Sequence, residues 1–168
     1  QTALSDAEVE YEEQETSLFT RMDAYVVNWR VTGKHLLFGT GPAGYAVYYM
    51  SYFPEMAMAT HSNYLDIVSQ TGILGLLAFL AFLLASGRLA VDLGRVTHGR
   101  RDFAEGFAAA YAGGLAAMVV AAALGDWVLP FVYTQTIAGF DYALYTWVML
   151  GAGQALHYLI STESMGGA

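Results

Sequence analysis

Residues 67–87 have the sequence IVSQTGILGLLAFLAFLLASG and contain no charged side chain. Two further uncharged stretches follow, at 106–125 and 142–162. Each has about the twenty residues that an α-helix needs to cross roughly 30 Å of hydrocarbon. A soluble helix carries one apolar stripe, whereas these stretches are apolar on every side at their centres. The sequence therefore predicts an all-α, polytopic membrane protein with three transmembrane helices, and it disfavours a soluble helical core.

The overall composition excludes several functional classes. Of the 168 residues, 56% are hydrophobic and 13% are charged, whereas charged residues make up about a quarter of an ordinary soluble domain. A disordered chain is excluded, because it needs high charge and few aromatic residues. Nucleic-acid binding is disfavoured, because 7 Lys and Arg stand against 15 Asp and Glu. The chain contains no cysteine, which excludes disulfides, thiolate metal sites and cysteine nucleophiles.

The basic residues predict an orientation in the membrane. Residues 88–105 carry four arginines, whereas residues 126–141 and the tail 161–168 carry no Lys or Arg. Positively charged loops stay in the cytoplasm, so 88–105 and the C-terminus are expected there. Residues 1–66 and 126–141 are then outside. We expect an exported loop region at 1–66 and a three-helix transmembrane part at 67–168. Because the chain begins with glutamine, we also expect it to be a fragment of a larger inner-membrane (plasma-membrane) protein.

A short amphipathic helix is predicted in the exported region. Apolar side chains recur there at helical spacing: Leu18, Met22, Tyr25 and Trp29. The helix is expected to end near Gly33 and to lie along the membrane surface or against the bundle. Three glycines around Pro42 then predict a tight turn, at which the backbone comes close to another element or to a ligand. The aromatic residues at 45–53 are expected at the membrane interface.

Three sequence features occur in a characteristic order. Arg21 opens the amphipathic helix, the turn LFGTGP follows at 37–42, and the segment HSNYLDIVSQTGILGLLAFL runs from 61 to 80. Together they resemble the O-antigen ligase and polymerase superfamily, and the resemblance extends over about residues 18–84. The combination is fairly specific, although no single feature is.

The sequence departs from the pattern of that superfamily at three positions. Leu36 stands where proline is common, Ser62 separates His61 from Asn63, and Gln70 replaces a frequent glutamate. None of these differences removes the arginine or the histidine of the pattern.

The resemblance implies glycan transfer on the outer face of the membrane, in O-antigen or other cell-envelope polysaccharide synthesis. The donor would be a glycan on a polyprenyl (undecaprenyl) diphosphate, and the acceptor a hydroxyl of lipid A-core, another glycan or a protein. No metal, nucleotide sugar or other cofactor is implied. Arg21 carries over as the diphosphate-binding and catalytic arginine, and His61 as the base or acceptor-positioning residue. Arg30, Lys34 and Asn63 are candidate substrate-binding residues.

The chemistry of these side chains fits the transfer independently. Breaking an anomeric bond leaves charge on the diphosphate, so a fixed guanidinium stabilises the transition state more than the ground state. Arginine suits this role better than lysine, because its planar fork binds phosphate oxygens in pairs. An attacking hydroxyl must lose a proton, and imidazole titrates near neutral pH.

Several charged residues have a second interpretation. Arg30 and Lys34 are at least as well explained as solvated surface charges. Asp66 either orients His61 or interacts favourably with the positive N-terminal end of the first helix, and the sequence indicates the second role. Asp126 either marks a helix end or lines the acceptor side of the cleft.

Two other functions compete with glycan transfer. A polytopic transporter would place ionisable residues at mid-membrane depth, and the centres of the three predicted spans contain none. A non-catalytic membrane scaffold would tolerate replacement of Arg21 and His61. The sequence ranks the glycosyltransferase first, the transporter second and the scaffold third.

Overall fold

The computed structural model describes residues 22, 24–42, 44, 47, 51, 60–129 and 139–166. Within these ranges all regular secondary structure is helical, which confirms the all-α class for this part of the chain. The helices are α1 (24–34), α2 (Asn63–Thr97), α3 (Phe103–Leu124) and α4 (Gly139–Gly166). In chain order, α2 and α3 contain the first two predicted spans and α4 contains the third.

Helices α2 and α3 are both long and apolar enough to cross a membrane. In the most apolar 18-residue part of each helix, only 22% (α2) and 28% (α3) is buried inside the described structure. A core helix of a soluble protein would instead bury most of its apolar surface. Large apolar side chains cover the outer faces of the two helices: Leu74, Leu77, Leu80, Leu84, Val91, Val119, Val120 and Leu124. The protein is therefore an integral membrane protein.

Helix α4 contains the third uncharged stretch, but its most apolar 18-residue part has a lower mean hydropathy than those of α2 and α3 and does not mark it as a membrane span. Gln154 and His157 interrupt its apolar sequence. Its outer face nevertheless exposes large side chains, among them Leu144, Val148 and Leu159. The third span therefore stays a prediction.

Small residues allow α3 to pack closely against α4. Tyr111 of α3 is 1% exposed and lies against Gly153, where a Cβ atom would overlap its ring. Gly114 lies against the side chain of Met149 in the same way. Close approach through small residues is the usual packing mode of helices in lipid. The Ala- and Gly-rich helix α3 thus packs closely against α4.

The connection between α2 and α3 is short and strongly capped. Asp102 caps α3 by accepting hydrogen bonds from the backbone N–H of Ala104 and Glu105, at 3.0 and 3.3 Å. Glu105 reaches back to accept from the N–H of Gly99 and Arg101, at 2.9 and 2.8 Å. This arrangement satisfies donors that the first turn of a helix leaves free. It makes α2 and α3 an antiparallel pair with the arginine-rich loop at one end.

Helix α2 is sharply bent at Gly72, which has φ 70° and ψ −169°. In a straight helix, residues 64 and 79 would be separated by roughly 22 Å along the axis. The rings of Tyr64 and Phe79 are instead 5.8 Å apart, centre to centre. The segment before Gly72 therefore folds back beside the long segment that follows it.

The glycine-rich turn predicted at 39–44 docks into this bend. The N–H groups of Thr40 and Gly41 donate to the carbonyls of Ser69 and Gln70, both at 2.9 Å. In return, Ile73 N–H donates to the carbonyl of Leu36 at 2.8 Å. Backbone groups freed by a bend in an apolar bundle must find partners within the protein. Of the two expectations for the turn, close approach to another element is the one that the structure shows.

Helix α1 packs with a different face from the one its large side chains suggest. Its buried side chains are Ala24, Val27, Asn28, Val31 and Thr32. Met22 and Trp29 of the predicted stripe are 62% and 67% exposed. The smaller side chains allow α1 to approach the bundle closely, and Asn28 Nδ2 reaches the carbonyl of Leu65 at 3.4 Å. The large apolar face is left on the outside.

Candidate functional site

Buried polar side chains concentrate where α1, the start of α2 and the segment after α3 meet. They are Asn28, Thr32, Thr60, Ser62, Asn63, Asp66, Ser69, Gln70 and Asp126. Burying a polar group is costly unless it is hydrogen-bonded, and polar residues inside a membrane protein commonly mark functional positions. We therefore take this polar cluster as the candidate site.

Asn63 joins the start of α2 to the segment after α3. Its Oδ1 accepts hydrogen bonds from the N–H of Val128 at 3.0 Å and of Leu129 at 3.3 Å. Its Nδ2 donates to the carbonyl of Leu129 at 2.9 Å. The side chain is completely buried, so its amide is engaged with the chain's own backbone. This contact holds residues 126–129 against the start of α2.

His61 lies directly before α2 and faces Asp126 across this junction. Its Nδ1 is 3.9 Å from Oδ2 of Asp126. The imidazole is 41% exposed, whereas the Asp126 side chain is fully buried. The backbone of His61 has φ 54°, in the left-handed region that few residues other than glycine adopt. The fold thus holds an accessible imidazole at a constrained backbone position beside a buried carboxyl group.

A second buried carboxyl group lies against the first. Asp66 and Asp126 are both buried, and their carboxyl groups are close enough to interact electrostatically. The backbone N–H of Thr60 donates to Asp66 Oδ1 at 3.2 Å. Burial raises the pKa of Asp126, against the opposing effects of the hydrogen bond from Asp66 and the charge of His61.

The predicted site residues are placed differently by the fold. His61 and Asn63 both lie in the polar cluster, the first accessible and the second buried. Arg30 and Lys34 are exposed on α1. Arg21 lies outside the described residues, as do the aromatic residues of the 45–53 stretch: Tyr45, Tyr48, Tyr49, Tyr52 and Phe53.

Asp126 is the site residue that the sequence left undecided. It follows the second span directly, which was compatible with a helix end or with the acceptor side of the cleft. Its contact with His61 joins residues 65 positions apart in the chain, and spacing along one helix cannot reveal such a contact. Asp66 does lie in the first turn of α2, but its buried carboxyl group accepts a hydrogen bond from Thr60 and lies beside Asp126. Both aspartates therefore belong to the site.

Across the described ranges, no three or more His, Cys, Asp and Glu residues are grouped so as to hold a metal ion. The polar cluster itself offers an imidazole, two carboxyl groups and surrounding amides and hydroxyls.

The part of the chain that contains His61 is similar to a known protein family. Residues 2–80 match the O-antigen ligase family. This match confirms the resemblance carried by the arginine, the glycine-rich turn and the 61–80 segment. No significant match was found among curated proteins or solved structures.

The matched segment includes α1, the docked turn and the bend at Gly72. The ligase-family segment therefore contributes His61, Asn63 and Asp66 to the cluster, whereas Asp126 lies beyond it. The site is completed by residues outside the family match.

Proposed function

We propose that this protein is a membrane glycosyltransferase of the O-antigen ligase or polymerase type. It transfers a glycan from a polyprenyl diphosphate to a hydroxyl group of lipid A-core, another glycan or a protein. The observation that carries the proposal is the accessible imidazole of His61 beside Asp126, on a segment that matches the O-antigen ligase family.

His61 acts as the general base in this proposal. The acceptor hydroxyl loses its proton to the imidazole as its oxygen attacks the anomeric carbon. The bond from that carbon to the diphosphate oxygen breaks, and the electron pair leaves with the diphosphate. The partial exposure of His61 supports this role, because a base must reach an acceptor that arrives from outside the chain.

Arg21 binds the diphosphate and stabilises the charge that develops on it. A guanidinium is suited to this task because it remains ionised and presents a planar set of donors to phosphate oxygens. Arg30 and Lys34 are proposed as supporting phosphate contacts, and their exposure on α1 leaves them accessible to a charged ligand. Asn63 acts indirectly, by holding residues 126–129 in place.

The proposed reaction takes place on the outer face of the inner membrane. The short loop between α2 and α3 carries Arg100 and Arg101, and basic loops favour the cytoplasm. His61 and Asp126 meet at the other end of the α3 helix, which supports an outside position for the site. With α4 as a third span, the C-terminus is cytoplasmic.

Cysteine labelling tests this orientation cleanly, because the chain contains no cysteine of its own. A cysteine replacing Lys34 is expected to react with a membrane-impermeant maleimide added to intact cells. A cysteine replacing the exposed His98 is expected to react only after the cells are opened. The reverse labelling pattern contradicts the proposed orientation.

Arg21→Ala tests the diphosphate contact in the complete protein in its own host. Surface glycan is expected to fall by at least about tenfold, since a charge-assisted phosphate contact contributes on the order of 1.5–3 kcal/mol. The lipid-linked glycan is expected to accumulate, because its consumption is blocked. Arg21→Lys is expected to recover part of the product, since lysine keeps the charge and loses the paired donors.

Arg95→Ala is the matched control, since Arg95 is exposed near the opposite end of α2. Both glycan pools are measured at equal protein levels in the membrane. A lipid-linked pool of single repeats identifies a polymerase, and a pool of full-length chains identifies a ligase. Normal pools in Arg21→Ala exclude Arg21 from the reaction.

A further inference from the structure

A structural role at the start of α2 does not require two buried carboxyl groups such as Asp66 and Asp126. A single polar contact to the backbone would secure the start of α2, and Asn63 already provides three of them. Two carboxyl groups buried against each other are costly, because only one can ionise without strong repulsion. A buried pair of this kind is therefore expected to have a compensating contact.

The group that the pair contacts is the proposed base. Among the residues that the structure describes, the titratable groups that interact with Asp126 are Asp66, from the first turn of α2, and His61, from the segment before that helix. The nitrogen of His61 directed at the pair is Nδ1, at 3.9 Å. A carboxylate beside Nδ1 favours the tautomer that carries its proton there, which leaves Nε2 free to accept a proton.

The shared proton sets the charge of the pair. Two carboxylates buried side by side repel each other strongly, and a single proton held between them leaves the pair with one negative charge instead of two. Oδ2 of Asp126 lies 3.9 Å from Nδ1 of His61, which brings the charge of the pair next to the imidazole. A backbone N–H from Thr60 fixes Asp66 from the other side.

We propose that Asp66 and Asp126 form a proton-sharing pair that orients His61 and balances the charge of its imidazolium. This inference rests on the proposed function. The acceptor proton moves to Nε2 of His61 while the acceptor oxygen bonds to the anomeric carbon and the diphosphate leaves. The imidazolium is then stabilised by the single negative charge of the pair, and it releases its proton to water after transfer. Asp126 and Asp66 are positioning residues, and neither touches the reacting atoms.

The test compares Asp126→Asn and Asp66→Asn in membranes containing the complete protein, supplied with lipid-linked glycan and acceptor. Asp126→Asn is expected to lower kcat by about 10²- to 10⁴-fold, up to the whole contribution of a general base, with a small change in KM for the acceptor. Asp66→Asn keeps a donor to Asp126, so its kcat at neutral pH is expected to fall by less than about tenfold, well short of that contribution. Asp92→Asn, at an aspartate near the opposite end of α2, is the matched control and is expected to match the unsubstituted protein.

The pH dependence separates proton sharing from simple packing. Burial raises the pKa of Asp126, so the folded protein holds a proton at this pair to higher pH than unfolded aspartates, whose pKa is about 3.9. Stability should therefore fall as pH rises above about 4, until the pair has lost its proton. This dependence is expected to be much weaker in Asp66→Asn, whose amide cannot ionise. We also expect kcat of the unsubstituted protein to fall at high pH, where the pair loses its shared proton. This fall is expected to disappear in Asp66→Asn.

Each outcome bears on one proposal. If Asp126→Asn and Asp66→Asn match Asp92→Asn in kcat per folded protein and in pH profile, the carboxyl pair has no part in the reaction. The proposed function survives that result provided that transfer still requires His61. If transfer continues without His61, the proposed function fails first. Thermal melting of each purified variant gives its folded fraction. A variant that only loses stability has a normal kcat per folded protein, and this result also overturns the inference.

Discussion

Glycan transfer is expected to fall by about 10²- to 10⁴-fold when His61 is replaced with alanine, the usual contribution of a general base. The imidazole is the accessible member of a cluster whose other polar side chains are buried. Its loss leaves the acceptor hydroxyl without a proton acceptor beside the fixed carboxyl pair. The lipid-linked donor should accumulate in the membrane while the surface product disappears.

The measurement uses the complete protein in its own host and follows both glycan pools at equal membrane levels. His98→Ala is the matched control, because His98 lies in the loop between α2 and α3 with its side chain 88% exposed. His61→Gln keeps a side chain of similar polarity without a proton acceptor of suitable basicity, so it should be as defective as His61→Ala. Normal surface glycan in both His61 variants would reject the base and favour a transporter or a scaffold.

The second large effect is on folding and comes from Gly72→Ala. The combination of φ 70° and ψ −169° is open almost only to glycine, and forcing another residue into such a region costs about 1–3 kcal/mol. A Cβ atom at Gly72 would also overlap the backbone of Leu37 and Phe38 in the docked turn. Since backbone atoms cannot rotate away, the turn and the bend should separate. We expect a loss of more than about 3 kcal/mol and little protein in the membrane.

Two further glycines provide the controls for this prediction. Gly94 lies in the same helix with open space around its Cβ position, so Gly94→Ala should be neutral or stabilising by up to about 1 kcal/mol. Gly41 has φ +84° and also has open space, so Gly41→Ala measures backbone strain without overlap. Membrane abundance and the melting temperature in detergent are the readouts. Equal values for Gly72→Ala and Gly94→Ala would show that the bend is not required.

The helical elements were largely predictable from the order of residues. Charge-free runs of about twenty residues mark α2, α3 and α4, because hydrocarbon excludes ionised side chains over the width of a bilayer. The glycines around Pro42 indicated a close backbone approach, because glycine alone allows one without a clash. The order of the arginine, the turn and the 61–80 segment was sufficient to indicate a resemblance to the O-antigen ligase family, and residues 2–80 match that family.

Other features depend on how the helices meet. The packed face of α1 was mispredicted in part, because the helix has a face of large apolar residues and a face of small ones. Helical periodicity alone does not reveal which face allows closer packing. The bend at Gly72 was hidden inside an uncharged run of spanning length, because a glycine in such a run is equally compatible with a straight helix.

The arrangement of the site shows the same division. His61 and its position at the mouth of a membrane helix follow from the local sequence, because the motif and the apolar run that it enters are contiguous. The pairing of His61 with Asp126, and of Asp126 with Asp66, follows from the packing of α3 beside a bent α2. Charge and burial act through space, so residues far apart in the chain determine the protonation of this site.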